Sequence, residues 1–107
     1  MTLPEKQRLF SKLIAQLILK AYDMGYEIAC GEFYRTPEQA ALNASKGVGI
    51  TNSQHTKCLA ADLNLFKDGK YLTKTEDHKK LGSLWETLHP LCRWGGKYND
   101  GNHYEIL

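Results

Sequence analysis

Residues 53–66, SQHTKCLAADLNLF, contain the pattern that decides the fold. Leucine or alanine occupies positions 59, 61, 63 and 65, which is the two-residue period of a strand with one buried face. Asp62 falls on the opposite face, where its small neighbours Ala60 and Asn64 leave room beside the carboxylate. The segment therefore predicts a β-strand that buries its leucines and presents Asp62 on its other side.

The segment that opens the chain predicts a helix followed by a strand. Thr2 and Glu5 form a capping-box pattern, and paired apolar residues then recur at helical spacing until Gly25. Residues 26–33, YEIACGEF, have the composition of a strand onto which the apolar side of this helix could pack.

The remaining signals complete the predicted architecture. A capping box at Thr36 and Gln39 begins a short helix that runs to about residue 46, and an irregular loop follows over residues 47–57. A turn at Asp68-Gly69 leads into a hairpin return over residues 70–73, and a helix follows over residues 75–89. A loop then opens at Trp94-Gly95-Gly96, and a closing strand covers residues 103–106. Together they predict an α+β fold, in which about three helices pack on a small antiparallel sheet.

Length and composition limit the possibilities. A chain of 107 residues fits one hydrophobic core, so we expect one domain over residues 1–107. The formal charge of +2 is too small to indicate nucleic acid or a membrane as partner, and we expect a monomer. Polar residues interrupt the first apolar run, so no signal peptide or membrane span is predicted. The three cysteines form no CxxC pair, which predicts free thiols.

Two imidazoles and one carboxylate are candidate metal ligands: His55, Asp62 and His103. In a helix, His55 and Asp62 would lie about 10 Å apart along the axis, and in one strand more than about 20 Å apart. They can share an ion only if the chain turns between them, at residues 56–58. Pairing of the closing strand with the Asp62 strand would bring His103 alongside. These donors fill three corners of a zinc tetrahedron and leave the fourth to water, as in catalytic zinc sites.

Asp100 is the candidate general base. It precedes His103 by three residues in a glycine-bearing turn, so its carboxylate can point at the fourth position without ligating. A zinc-bound water, with a pKa of about 7, needs only a nearby proton acceptor.

Alternatives remain for several residues. Cys58 lies three residues after His55 and is a competing ligand, although a thiolate would give a more closed, structural site. Glu105 shares the strand face of His103 and could orient that imidazole or act as the base. His78 and His89 lie on the charged third helix or at its end, where we expect solvated side chains.

These residues resemble the zinc signature of the LAS metallopeptidases, which include VanY-like D-Ala-D-Ala carboxypeptidases and phage L-alanyl-D-glutamate endopeptidases. The resemblance rests on the pattern SxHxxxxAxD at residues 53–62 and DxxH at residues 100–103. It extends to YRTPEQ at residues 34–39, DLNLF at 62–66 and WGG at 94–96, which are similar to the short phage and prophage members. The fold implied is that of the DD-peptidase and hedgehog proteins.

The resemblance implies a role for each matching residue. His55, Asp62 and His103 correspond to the Zn²⁺ ligands, Asp100 to the catalytic acidic residue, and Arg35 to an arginine that contacts substrate or the developing oxyanion. Ser53 matches a serine that shapes the substrate groove or holds the loop. Trp94 and Tyr98 could line the groove, although a core position suits Trp94 equally well.

One residue departs from the family pattern. Many members have glycine at the position of Cys58. A side chain there predicts an ordinary backbone conformation and a loop that differs locally from theirs.

The function implied is hydrolysis of an amide bond in the peptidoglycan stem peptide. An L-alanyl-D-glutamate endopeptidase, similar to phage endolysins, is the first expectation, and a D-Ala-D-Ala carboxypeptidase is the second. A zinc-containing wall-binding or virion module without turnover is a third possibility. We expect a protein made in the host cytoplasm that reaches the wall after release or as part of a virion.

Overall fold

The computed structural model describes residues 1–50 and 52–107, and within them three α-helices and five strands. The elements are α1 (Leu3–Asp23), β1 (Glu27–Cys30), α2 (Pro37–Ser45), β2 (Ala60–Lys67), β3 (Lys70–Leu72), α3 (Lys79–Leu88), β4 (Cys92–Trp94) and β5 (His103–Ile106). Short 3₁₀ turns occupy Gln54–Lys57, Thr75–His78 and Gly95–Tyr98. The predicted loop at 47–57 includes Thr51, which lies outside the described residues.

The strands form one antiparallel sheet in the order β1-β2-β5-β4, and β3 pairs with the far end of β2. In the pairing of β2 with β5, Asp62 is opposite His103, and Ala60 is opposite Glu105. Arg93 of β4 is in turn opposite Glu105. Since side chains alternate across a sheet, these residues share one face.

The other face of the sheet carries the core. The positions that alternate along and just before β2 are almost fully buried, and they pack with α1, α3 and the inner residues of β4 and β5. The buried cluster comprises Phe10, Leu13, Ile14, Leu17, Ala21, Leu59, Ala61, Leu63, Leu65, Leu81, Trp85, Cys92, Tyr104 and Ile106. The alternation predicted for this strand is confirmed, and Asp62 lies on the opposite face.

The helix starts follow the capping signals with one difference. At α1 both halves of the capping box form, because Thr2 accepts from the Glu5 amide and Glu5 accepts from the Thr2 amide. At α2, Thr36 accepts the Gln39 amide at 3.1 Å, whereas the Gln39 side chain donates to Asn43. The reciprocal half of the second box was therefore predicted wrongly, since a partner one turn along the helix takes the amide.

The second half of the chain departs from the prediction in two places. Residues 75–89 are not one helix, because Thr75–His78 form a 3₁₀ turn before α3 begins at Lys79. Residues 92–94 form the edge strand β4, which was not predicted. Three residues are too few for a periodic signal, and pairing with β5 supplies the backbone partners. The α+β class with three helices on an antiparallel sheet is confirmed.

All three cysteines are free, with Cys30 and Cys58 exposed and Cys92 buried. Burial raises the pKa of the Cys92 thiol to about 11, so it is unreactive at neutral pH. Within the described residues, no helix has the length and apolar character that crossing a bilayer requires.

Candidate metal centre

The fold brings His55, Asp62 and His103 together. His55 lies on the 3₁₀ turn at Gln54–Lys57, while Asp62 and His103 are cross-strand neighbours in β2 and β5. One potential ligand atom from each residue lies within 4.8 Å of the other two. Cys58, the competing ligand, is exposed and does not belong to this group.

The turn between His55 and Asp62 has a defined construction. Ser53 caps it, because its hydroxyl accepts the His55 amide at 3.2 Å. Cys58 ends it with φ 57° and ψ 37°, in the left-handed region. The prediction of an ordinary conformation for Cys58 was therefore wrong, because this cysteine adopts a geometry that glycine would supply more readily.

Each imidazole is oriented through its second nitrogen. Nδ1 of His55 lies 3.3 Å from the carbonyl oxygen of Phe33, and Nε2 lies 3.2 Å from Oδ1 of Asp62. In His103 the two ring nitrogens have the opposite roles. Nε2 lies 2.6 Å from Oε1 of Glu105, and Nδ1 lies 3.5 Å from Oδ1 of Asp62. Carbonyl and carboxylate oxygens only accept, so His55 Nδ1 and His103 Nε2 donate. This leaves His55 Nε2 and His103 Nδ1 for an ion.

These distances fit a tetrahedral ion. Zinc–ligand distances of about 2.0–2.2 Å place neighbouring ligand atoms roughly 3.3 Å apart. The two separations from Asp62, 3.2 Å and 3.5 Å, match that edge length. The donor set, two imidazole nitrogens and one carboxylate oxygen, is also one that zinc accepts with a fourth position open.

The ionisation of the ligands follows from their contacts. Burial opposes the charge on Asp62, but hydrogen bonds from His103 and His55 hold its pKa well below the usual range. Burial likewise opposes a charge on His103, yet hydrogen bonds to Asp62 and Glu105 raise its pKa to about 9. At neutral pH the metal-free centre therefore holds a proton at His103, and an ion at Nδ1 takes the place of that proton.

Asp100 lies beside the centre. Its Oδ2 is 4.0 Å from Nδ1 of His103, and its side chain is 59% exposed. The residue before it, Asn99, has φ 57°, which turns the chain back toward β5. Gly95 lies directly against this turn, and a Cβ at Gly95 would collide with the Asp100 carbonyl oxygen.

Sequence reasoning missed Glu32, which connects Arg35 with His55. One oxygen of Glu32 accepts from Nε of Arg35 at 2.7 Å and pairs with Nη2 at 2.5 Å. The same oxygen lies 3.9 Å from Nδ1 of His55. The backbone amide of Arg35 also donates to the His55 carbonyl at 3.1 Å. The i,i+3 spacing of Glu32 and Arg35 is a signal that could have indicated this pair.

A groove of about 1040 Å³ runs along this face of the sheet. Its walls include all the residues predicted for the site: Arg35, Ser53, His55, Asp62, Trp94, Tyr98, Asp100 and His103. Arg93 and Lys97 add positive charge, and Glu105 also faces the groove.

The predicted groove residues contribute unequally. Tyr98 is 76% exposed and presents its ring at the rim. Ser53 is almost buried and caps the His55 turn. The Trp94 indole lies against Gly82 and Gly96, where a Cβ at either position would collide with the ring, and its N–H donates to the Gly101 carbonyl at 2.7 Å. Trp94 thus supports the turn that carries Asp100 and borders the groove with one edge.

The prediction that His78 is solvated was wrong. His78 is 2% exposed, and its Nδ1 lies 2.9 Å from the hydroxyl of Tyr104. His78 precedes the buried residues Leu81 and Trp85 by three and seven positions, so it continues the buried face of α3. His89 is partly buried, and its Nδ1 accepts the Leu91 amide at 3.1 Å.

No family model matches the chain, and no curated protein matches its sequence. Solved structures do share its fold. One is the L-Ala D-Glu endopeptidase ChiX of Serratia marcescens, with a TM-score of 0.72 and 16% identity, covering 91% of this chain and 79% of that one. Another is a mutant of the vancomycin resistance D,D-pentapeptidase VanY from the VanB-type cassette in complex with Zn(II), with a TM-score of 0.60, 20% identity and coverages of 91% and 70%. At these identities the likeness establishes the fold.

Proposed function

We propose that this chain is a LAS-type zinc peptidase that hydrolyses an amide bond in the peptidoglycan stem peptide. The observation that carries this proposal is the arrangement of His55, Asp62 and His103 in a groove, with their potential ligand atoms within 4.8 Å of one another and the carboxylate of Asp100 beside them. A purely structural site has no use for an uncoordinated carboxylate next to its ligands. The Zn(II) in the VanY structure, which has the same fold, supports the choice of metal.

Three groups of the chain perform the reaction. His55, Asp62 and His103 would hold a zinc ion, which would supply Lewis acidity to the scissile carbonyl and lower the pKa of a water molecule. Asp100 accepts a proton from the attacking water and then passes it to the nitrogen of the leaving amine, so the amide is replaced by a carboxylate and an amine. Arg35, held by Glu32, donates hydrogen bonds to the oxygen that becomes negative.

Three basic side chains of the groove can contact an anionic peptide, and they lie among the carboxylates of Asp62, Asp100 and Glu105. They are those of Arg35, Arg93 and Lys97, and a stem peptide carries several carboxylates. We propose an L-alanyl-D-glutamate endopeptidase, and the name of ChiX, which has the higher TM-score of the two structures, supports this choice. The D,D-pentapeptidase VanY supports the alternative of a D-Ala-D-Ala carboxypeptidase. We also propose that the protein is a monomer and that it acts on the cell wall after release or as part of a virion.

Digestion of purified peptidoglycan tests the proposal. The zinc-loaded protein is incubated with sacculi, and new amino termini are labelled and identified by mass spectrometry, with His103→Ala as control. We expect D-Glu amines to appear with the wild type and not with the control. Release of free D-Ala alone would favour the carboxypeptidase. No new termini and no free D-Ala, from protein shown to contain zinc, would contradict the peptidase assignment.

A further inference from the structure

A second cleft, of about 170 Å³, lies on the far side of Asp100 from the groove. The Asp100 turn separates the two, since Asp100 lines both. The residues that line this cleft include Tyr71, the hydroxyl-bearing Thr73 and the amide-bearing Asn99 and Asn102. The proposed hydrolysis uses none of these four residues.

The cleft has the chemistry of a site for an uncharged, hydroxyl-rich ligand. Neither lysine nor arginine is among its described lining residues, and Asp100 is the one carboxylate there. The described lining of the cleft therefore has no lysine or arginine to bind an anion. One carboxylate also supplies too few negatively charged oxygen ligands for a metal cation. Hydroxyl and amide groups, by contrast, can both donate and accept hydrogen bonds.

Tyr71, which lines the cleft, belongs to an exposed aromatic pair at its rim. Tyr71 stacks on Phe66 with ring centroids 5.0 Å apart and an interplanar angle of 22°, and Tyr71 remains 54% exposed. Its hydroxyl and the Asn102 amide both donate to Oδ1 of Asn64, each at 3.3 Å. The ring is thus fixed in orientation while much of it stays accessible to the apolar face of a sugar ring.

The register of the sheet gives the distance from the metal centre. Asn64 and Phe66 follow Asp62 by two and four residues along β2, and a strand rises about 3.4 Å per residue, so these positions lie roughly 7–14 Å from Asp62. Tyr71 of the cleft pairs with Phe66, which places the cleft beside this stretch. Arg93 lies in the opposite direction, because its cross-strand partner Glu105 is paired with Ala60. The face of the sheet therefore runs from an end that holds Arg93 and Glu105, through the metal centre, to a neutral polar end.

We propose that this cleft binds the N-acetylated amino sugar that carries the stem peptide, and that the anionic part of the peptide extends toward Arg93. The proposal rests on the proposed function. In peptidoglycan the sugar is linked through a lactyl group to L-alanine, and that amide linkage leaves the sugar uncharged. Two extended units span about 7 Å, so a sugar in this cleft places the bond after L-alanine at the metal. The bond between two D-alanines lies about five units from the sugar, which is too far.

Two substrates that differ only in the sugar test the proposal: N-acetylmuramyl-L-Ala-D-Glu and D-lactyl-L-Ala-D-Glu. We expect the zinc-loaded wild type to cleave the first with a kcat/KM about tenfold higher or more. Tyr71→Ala should bring the ratio of the two kcat/KM values close to one. Tyr71→Phe, which keeps the ring, should retain most of the preference. Lys70→Ala, on the same strand and outside the cleft, is the control and should leave the ratio unchanged.

A ratio near one for the wild type, or an unchanged ratio in Tyr71→Ala, would overturn the proposal. Should Tyr71→Ala fail to fold by circular dichroism, Thr73→Ala replaces it with the same expectation. A binding experiment that does not depend on cleavage tests the sugar site separately from the peptidase assignment. N-acetylmuramyl-L-alanine methylamide, titrated into metal-free protein, should shift the NMR signals of Asn99 and Asn102 whether or not any peptide is cleaved. An absence of shifts there would also overturn the subsite.

Discussion

His103 donates its Nε2–H to Glu105, two residues further along β5, across 2.6 Å. This contact determines which nitrogen of His103 faces Asp62, since a histidine bound through Nε2 to a carboxylate can offer only Nδ1 to an ion. The sequence left open whether Glu105 orients the ligand or acts as the base. The contact favours the first role, because Glu105 faces the side of the imidazole away from Asp62.

Replacement of Glu105 should weaken zinc binding without removing a ligand. In Glu105→Gln the charged acceptor becomes a neutral amide, so we expect the dissociation constant for zinc to rise about 10- to 100-fold. Competition with a chromophoric chelator measures it. Glu38→Gln, an exposed glutamate of α2, is the matched control. An unchanged zinc affinity in Glu105→Gln would show that the contact does not orient the ligand.

Asp100 and His103 should separate catalysis from metal binding. Asp100→Ala removes the proton acceptor and leaves the three donors, so we expect bound zinc close to the wild-type level and a loss of hydrolysis of about 10²-fold or more. His103→Ala removes a metal ligand, so we expect it to lose both bound zinc and hydrolysis. Zinc content by atomic absorption and peptidoglycan digestion measure the two properties. Full activity in Asp100→Ala would disprove its assignment as the base.

Glu32 should act through Arg35. In Glu32→Ala the guanidinium loses both of its contacts with Oε1, so we expect kcat to fall about tenfold, zinc content staying near that of the wild type. In Arg35→Ala we expect a larger decrease in kcat than in Glu32→Ala. In the double variant, Glu32→Ala should add little to the loss, because the residue that it positions is already absent. If the fold decrease in kcat of the double variant equals the product of the two single decreases, Glu32 acts independently of Arg35.

The parts of the site that the sequence predicted are those that depend on short patterns. Alternation along β2 predicted the face of Asp62, and the seven-residue spacing predicted a turn after His55. The misses have local causes as well as tertiary ones. The edge strand β4 is three residues long and exists because β5 lies beside it, and Glu32 reaches Arg35 only after β1 ends. His78 was misjudged because the charged residues around it suggested solvation, whereas its spacing from Leu81 and Trp85 places it on the buried face of α3.

The left-handed conformation of Cys58 predicts a stabilising substitution. A non-glycine residue in this region costs about 1–2 kcal/mol, so Cys58→Gly should raise the free energy of unfolding by up to about 1 kcal/mol after the greater chain entropy of glycine is subtracted. Cys30→Gly, at an exposed cysteine in the extended strand β1, should lower it. Urea denaturation measures both. A decrease in Cys58→Gly equal to that in Cys30→Gly would contradict this prediction.

The buried pair of His78 and Tyr104 predicts a loss of stability in acid. Burial lowers the pKa of His78 below its ordinary 6.5, and burial also raises the pKa of Tyr104, so the tyrosine hydroxyl donates to a neutral imidazole. As pH falls through 6.5, the unfolded chain takes up a proton that the folded chain resists, which reduces the free energy of unfolding until the folded pKa is passed. Above 6.5 this contribution is complete.

His78→Gln removes this titration, so its stability difference from the wild type should shrink below pH 6.5. Urea denaturation at several pH values, with chelator present in every sample, measures the difference. Comparison with the wild type cancels the contribution of His103, whose raised pKa acts with the opposite sign at higher pH. A pH-independent difference for His78→Gln would show that His78 is not held neutral by burial.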